Sequence, residues 1–329
     1  MTPPQFVFAS AESFMNVNIP PVDHYSHILE GGKALPRITV AVIHPVDAHA
    51  LEATADAEAT GLIAPILIGP KERIQKIAQD ARIDISGWPL IDVEHSHAAA
   101  EAGVAMAARG QVDALMKGSL HSDELLTAVV AKTSGLRTER RVSHAYILDI
   151  PMYHKPLIIT DAAVNIAPNL DEKADICRNA ISLWHSLFGN DRLPKVALLS
   201  AVETVMSALP STIDAAALCK MADRGQITGA ILDGPLAFDN IISLEAAADK
   251  ALVSPVAGDA DIIVVPNIEA GNALAKELIY LGHAQAAGIG LGARVPIILT
   301  SRADSLRTRR LSCVVAQYLV DARQKGRLK

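Results

Sequence analysis

Aromatic residues are scarce: Phe, Tyr and Trp together make up 4% of the 329 residues. Base-stacking platforms and sugar-gripping surfaces are built from such rings, so neither is expected. A surplus of basic residues is also missing. Lys and Arg number 30 against 36 Asp and Glu, a formal net charge of −6. Non-specific nucleic-acid binding needs cations to displace condensed counterions, so no nucleic-acid partner is expected. No apolar run reaches the ~18 residues that cross a bilayer, and Met1–Ser10 shows no basic stretch leading into an apolar one. The expectation is a cytoplasmic protein with no membrane partner. Cysteine is rare too. Cys177, Cys219 and Cys313 stand far apart, outside any metal-ligand spacing, and read as small buried apolar residues on helices. The 11 histidines form neither a His-Glu-x-x-His motif nor a paired ligand spacing, so no metal site is expected. Among them only His121 stands beside a candidate site, and it reads as a core or surface residue.

What is present is aliphatic. Half the residues are hydrophobic, and with few rings the core is built from Ala, Val, Ile and Leu, as in a parallel sheet covered by helices. The length suggests about two domains. Strand candidates are Ile38–Ile43, Ala64–Ile68, Leu90–Val93, Val112–Met116, Ala145–Ile150, Leu157–Thr160, Val196–Leu199, Ala230–Leu232, Ile262–Val265 and Pro296–Leu299. Between them lie helical patterns, as in Asp171–Leu187, where Ile176, Ala180, Leu183, Trp184 and Leu187 line one face. Such alternation defines an α/β protein and leaves an eight-fold barrel or a doubly wound sheet. Only Pro151–Pro156 separates Ile150 from Leu157, too little for a parallel crossover, which takes about a dozen residues. An antiparallel pair is expected there, with a second domain beginning near residue 142. The first 23 residues read as a loose extension.

Ligands of open α/β sheets sit beyond the carboxyl ends of the strands. His44-Pro45, Gly69-Pro70, Lys117-Gly118-Ser119, Asp161, Ser200 with Glu203, Asp233-Gly234-Pro235, Pro266-Asn267 and Ser301-Arg302-Ala303-Asp304 fall at such ends. Lys117-Gly118-Ser119 precedes a helix expected from about Asp123, an arrangement that suits a phosphate at a helix N-terminus or an ordinary strand-to-helix turn. Arg302 offers a bidentate fork for phosphate, while Ser301-x-x-Asp304 equally fits a capping box for the last helix. Gly288-Ile289-Gly290-Leu291-Gly292 lacks the G-x-G-x-x-G spacing and reads as a tight interdomain connection.

Five segments together carry a resemblance. They are Leu115–Ser119, Thr160–Pro168, Asp233–Asn240, Ser254–Asp261 and Pro296–Ser305. From about Arg37 to the C-terminus the chain resembles the phosphate acetyl/butyryltransferase family, most of all its butyryl branch and the transferase half of fused hydratase proteins. The resemblance implies an α/β fold like isocitrate and isopropylmalate dehydrogenases: two α/β/α domains flanking a deep interdomain cleft. The first would comprise residues 1–141 and 290–329, and the inserted second residues 142–289. The implied reaction converts acyl-CoA and orthophosphate to acyl phosphate and CoA, with CoA as substrate, no cofactor or metal, and a homodimer as the usual assembly. Ser301 and Arg302 match the family's cleft pair and, with Asp304, are the catalytic candidates. Lys117, Gly118, Ser119, Asp161, Asn165, Asp233 and Asn240 are the substrate-binding candidates; for the last four, holding the cleft loops is an equal alternative. The acetyl branch has Asp where this chain has Thr308, which leaves Asp304 as the nearest substitute, and it more often has Ser where Lys117 stands. Small residues at strand ends (Gly118, Ser119, Ala162, Ala163 and Gly234) suggest room for acetyl, propionyl and butyryl groups. Rival readings are a metal-dependent dehydrogenase of the same fold, an acyl-ACP:phosphate acyltransferase, and a non-catalytic CoA-binding or regulatory module.

Overall fold

The structure, a computed structural model, describes residues 23–300 and 304–328. The expected N-terminal extension falls almost wholly outside the described residues, as do Ser301, Arg302 and Ala303.

After α1 (Ser26–Lys33), the first lobe alternates β1 (Ile38–Ile43), α2 (Ala48–Ala59), β2 (Ile63–Gly69), α3 (Lys71–Asp80), β3 (Leu90–Asp92), α4 (Ser96–Ala108), β4 (Ala114–Lys117) and α5 (Ser122–Val130). The chain then crosses to β5 (Ser143–Asp149), β6 (Leu157–Thr160), α6 (Leu170–Phe188), β7 (Lys195–Leu199), α7 (Pro210–Asp223) and β8 (Ile231–Leu236). Two short helices, α8 (Phe238–Ile242) and α9 (Leu244–Asp249), precede β9 (Ile262–Val264) and α10 (Ile268–Tyr280). The chain returns through β10 (Gln285–Leu291) to β11 (Ile297–Ile298) and α11 (Leu306–Gln324).

Local chemistry explains the long helices. In α6, Asn169 accepts from the Glu172 N–H while Glu172 accepts from the Asn169 N–H, each at 3.0 Å, a reciprocal cap. Gly189 ends that helix at φ +82°, a conformation open to a residue without Cβ.

The strands form one open 11-stranded sheet in the order β3-β2-β1-β4-β11-β10-β5-β6-β9-β7-β8, so the barrel alternative is excluded. The β5–β6 pair is antiparallel, as the short connection requires. β10 runs antiparallel to both β11 and β5. The parallel set β3-β2-β1-β4-β11 therefore points opposite to the set β6-β9-β7-β8.

The two faces of this sheet are covered differently. On one, a single core runs from Tyr25 and Leu51 through Ala145 and Ile147 to Trp184, Leu218 and Val315. Tyr25 donates its hydroxyl hydrogen bond to the Ile147 carbonyl, and Asp149 accepts from the His24 N–H at 2.9 Å, pinning the start of the first lobe to β5. On the other face there are two cores. One gathers Ile43, Leu115, Leu125 and Leu299 under α4 and α5; the other gathers Leu148, Ile159, Ile241 and Ala286 under α8, α9 and α10. They part where β5 and β10 present His144 and Tyr146 opposite Gly290 and Gly288.

Three expectations are corrected here. Gly288–Leu291 is the end of strand β10 rather than a connection; the turn begins at Gly292, with φ +85°. A Cβ on Gly288 would lie 2.5 Å from the Leu299 carbonyl oxygen, and one on Gly290 would lie 3.1 Å from Ile297 Cβ, so close strand packing explains these glycines. The boundary expected between residues 289 and 290 falls inside this strand. The cap of α11 is Ser305, which accepts from the Thr308 N–H at 3.1 Å, so Ser301-x-x-Asp304 is not its capping box. Asp233-Gly234-Pro235 lie within β8, not beyond it.

Candidate active site at the first-lobe strand ends

Three parallel strands end side by side in the first lobe: β1 at His44, β4 at Lys117-Gly118-Ser119, and β11 at Leu299-Thr300. The β4 turn folds onto the end of β1, with Gly118 N–H donating to the Ile43 carbonyl and Ser119 N–H to that of His44, both at 2.9 Å. A Cβ at Gly118 would lie 2.4 Å from the Ile43 carbonyl oxygen. Gly118 is thus small because backbone meets backbone there. The same holds for Gly234, whose Cβ would lie 2.7 Å from Leu198 Cβ, and Ala162 is fully buried. Close packing, not room for an acyl group, therefore accounts for Gly118, Gly234 and Ala162.

Ser119 donates to Asp47 at 2.5 Å and accepts from the Val46 N–H at 3.1 Å. Asp47 also caps α2, accepting from the Ala50 N–H at 2.8 Å. Burial raises the Asp47 pKa, but those two hydrogen bonds and the Arg309 and His49 charges outweigh it and hold the carboxyl below its ordinary value. Arg309, from the first turn of α11, is buried and donates to the His49 carbonyl at 2.7 Å. A recess of about 10 Å³ is lined by Asp47, Lys117, Gly118, Thr300 and Arg309. Lys117 Nζ donates to the Leu120 carbonyl at 3.3 Å. The structure thus brings Lys117, Gly118 and Ser119 to the strand end that runs into Ser301 and Arg302.

Arg309 was not singled out in the sequence. The signal available was the run Arg307-Thr308-Arg309-Arg310, but only the helix places one of these side chains inward. Arg310, next along, instead pairs with Asp56, its Nε at 2.8 Å. His144 and Tyr146 were also missed, because alternating residues in a strand look like core. Their rings meet edge to face with centroids 4.5 Å apart. Burial pushes His144 down to about 4, and its Nδ1 has no hydrogen-bond partner among the described residues. Burial pushes the Tyr146 hydroxyl up to about 12, with smaller contributions from the Asp304 and Tyr280 charges. Asp304, half-buried, therefore lies within electrostatic reach of Tyr146.

The remaining candidates lie apart from this cluster. Asp161 accepts from the N–H groups of Ala163 and Val164 at 3.0 Å, that of Asn165 at 3.2 Å, and the Asn165 side chain at 2.6 Å. Burial raises its pKa against the pull of these bonds. Asn165 in turn accepts from Arg141 Nε at 2.8 Å and donates to the Val142 carbonyl at 2.9 Å. Both side chains are buried and brace the loop after β6. Asp233 accepts from the Gly234 N–H at 2.8 Å, and the fully buried Asn240 donates to Glu203. β8 stands six strands from β11, roughly 29 Å along the sheet at about 4.8 Å per strand. The structure does not bring Asp233 and Asn240 to the Lys117 cluster.

Cations and hydroxyls gathered at parallel strand ends are the arrangement with which open α/β folds handle anions. Comparison with known proteins makes this specific. The family model for phosphate acetyl/butaryl transferase matches residues 94–316. A phosphate acetyltransferase of Rickettsia prowazekii is 54% identical over 296 residues, covering 90% of this chain and 84% of that protein. The solved branched-chain phosphotransacylase of Enterococcus faecalis has a TM-score of 0.74 at 31% identity, covering 86% of this chain and 99% of its own. A 4-hydroxythreonine-4-phosphate dehydrogenase of Klebsiella pneumoniae, 12% identical, has a TM-score of 0.51 over 86% of this chain and 99% of its own; it shares the fold alone. The chain belongs to the phosphate acetyl/butyryl transferase family, and its fold is the dehydrogenase-like one that the resemblance implied.

Proposed function

We propose that the protein transfers a short acyl group between coenzyme A and orthophosphate: acyl-CoA plus phosphate gives acyl phosphate plus CoA. The observation that carries this reading is the convergence of Lys117, Ser119, Asp47 and Arg309 at the strand end leading into Ser301-Arg302. A phosphate oxygen attacks the thioester carbonyl carbon, negative charge builds on the carbonyl oxygen, and the carbon–sulfur bond breaks with the electron pair leaving on the CoA thiolate. Catalysis of this step is mostly positioning and charge stabilisation. Arg302 takes the phosphate and the developing charge, Ser301 donates to the phosphate or carbonyl oxygen, and Lys117 adds positive charge from the neighbouring strand. Arg309, balanced by Asp47, extends that positive field. Asp304, whose charge reaches Tyr146, is the group assigned to proton transfer. Asp161 and Asn165 brace the loop after β6, and Asp233 and Asn240 serve the second lobe.

The reading includes no metal and no resident cofactor, because Arg and Lys neutralise the phosphate and CoA is a substrate. It also includes a homodimer in the cytoplasm; among the described residues no helix is long and apolar enough to cross a membrane. The two-lobe division of the sequence reading is kept with its second boundary moved past the end of β10, to Gly292. Acetyl-CoA is the first substrate to test, in view of the 54% identical acetyltransferase. Propionyl- and butyryl-CoA are expected to follow within the roughly 10–200-fold range that a methylene commands.

The test is phosphate-dependent thiol release from acetyl-, propionyl- and butyryl-CoA, with dimer mass read by light scattering. Release from acetyl-CoA only when phosphate is present supports the transferase. CoA binding without release establishes the regulatory-module reading instead, and turnover of acyl-ACP alone establishes the acyl-ACP transferase.

A further inference from the structure

The chain passes between the lobes twice, through residues 136–142 and residues 292–296, and these crossings are tied together. Arg294 N–H donates to the Leu136 carbonyl at 2.9 Å, Thr138 Oγ1 donates to the Gly292 carbonyl at 2.6 Å, and Arg137 bridges Ala293. Beside them lies a cavity of about 230 Å³ whose lining includes Arg140, Arg178, Ser182, His185 and Arg327. A recess of about 40 Å³ adjoins it, sharing Arg140 and adding Arg323 and Gly292. No Asp or Glu lines either space.

The charge balance here is unusual for a chain of net charge −6. Arg178 and Arg327 are each paired from behind, with Asp175 at 2.7 Å and Asp321 at 2.6 Å. Arg140 and Arg323 have no carboxylate partner among the described residues. Arg140 donates to Ser182 Oγ at 3.0 Å and Arg323 to the Ala293 carbonyl at 3.0 Å. His185 presents both ring nitrogens to carbonyl oxygens, Nδ1 to Gly189 at 2.9 Å and Nε2 to Gly229 at 2.7 Å. The four guanidinium groups come from a lobe crossing (Arg140), the second-lobe helix α6 (Arg178), the first-lobe helix α11 (Arg323) and the segment that follows it (Arg327).

We propose that this cavity is a regulatory anion site, taking a small phosphate-bearing metabolite that bridges the two lobes at their crossings. Guanidinium forks grip phosphate through paired, charge-assisted hydrogen bonds. Its volume lies below the ~300 Å³ at which drug-sized pockets begin, which suits a phosphate on a short carbon skeleton rather than a nucleotide. The site lies on the face with the continuous core and shares no lining residue with the recess at Lys117 and Thr300. An anion held jointly by α6 and α11 stabilises one arrangement of the lobes over others, and any such bias must appear in substrate affinity. The neighbouring Arg141 accounts for a local route: it donates to Asn165, the brace of the loop after β6, at 2.8 Å.

The phosphate group could come from free orthophosphate or from a phosphate ester, so both are probes: inorganic phosphate and glycerol 3-phosphate. Hydrogen exchange on the full chain needs no turnover and is independent of the transferase reading. Glycerol 3-phosphate is expected to slow exchange in residues 136–142, 178–186 and 320–328, with the protection lost in the Arg140→Ser, Arg327→Ser double variant. Orthophosphate protecting these segments more tightly than the ester identifies the substrate itself as the effector. In kinetics, the ester is expected to shift the acyl-CoA KM about fivefold or more, with no shift in the double variant, whose rate without the ester stays at the wild-type value. If the double variant does not fold, Arg327→Ser alone, on a half-exposed side chain, carries the same test. Unchanged protection in the variant, protection without any KM shift, or a change of oligomeric state with no response to phosphate each overturns the proposal.

Discussion

The two faces of the sheet differ in how their cores are joined. On one face the apolar layer is unbroken across all the central strands, so α1, α2, α11, α6 and α7 share one core. On the other it divides at β10 and β5, and α4 with α5 stand apart from α8, α9 and α10. The continuous face ties the whole sheet into one core, while on the divided face His144, Tyr146, Gly288 and Gly290 mark the seam between two cores. Strands β4 and β11 bring Lys117 and Thr300 together at their neighbouring ends, along the edge of the first-lobe core. Polar groups are tolerable at such an edge because they lie outside the cores, where bound phosphate and water can pair with them.

The largest test of this comparison is on the continuous face. Trp184, 2% exposed, packs in the shared core, and Trp184→Ala is expected to cost about 3–5 kcal/mol. Urea denaturation followed by circular dichroism should still show one transition; two separated transitions would mean that the face does not couple the lobes. Next in size is the pH response of His144, on the divided face. Burial holds its pKa at about 4, against ~6.5 for a free imidazole. Between those values the unfolded chain binds a proton that the folded chain does not, so stability falls as pH drops from ~6.5 toward ~4, by about 3 kcal/mol in all. His144→Gln should remove that part of the pH dependence in urea titrations. Equal pH slopes for the two proteins would refute it.

Arg302→Gln is expected to lower turnover at least ~100-fold, the effect of losing one electrostatic donor, with an unchanged thermal midpoint. Near-normal turnover in the folded variant would take the transferring phosphate away from Arg302. A smaller effect belongs to Asp47. Its folded pKa lies below the ordinary carboxylate value, so its contribution is present above pH ~4 and disappears as pH falls through the folded value. Asp47→Asn retains a capping side chain but removes the charge, and should cost about 1 kcal/mol at pH 7 and progressively less as pH falls through the folded value. A thermal-melt difference that is constant over this range would show that charge plays no part. The smallest effect expected is none: EDTA should leave phosphate-dependent thiol release unchanged. Loss of activity restored by Mg²⁺ or Zn²⁺ would overturn the metal-free reading.

Much of this architecture could be read in advance where side chains carry a period. The spacing of Ile176, Ala180, Leu183, Trp184 and Leu187 marks α6 because an amphipathic helix must repeat every three or four residues, and six intervening residues force the β5–β6 pair to be antiparallel. β10 could not be read that way. Its glycines contribute no side-chain pattern, and they are required only because Leu299 and Ile297 of the neighbouring segment come close. Composition, alternation and five motif segments by themselves determined an α/β chain and its family likeness, because they are local properties of consecutive residues. Tertiary structure alone decided that Arg309 turns inward beside Asp47 while Arg310 pairs with Asp56, that Asp161 and Asn165 brace a loop, and that Asp233 stands roughly 29 Å from β11 along the sheet. Those outcomes depend on which strands become neighbours and which helix face meets the sheet, and non-local packing sets both.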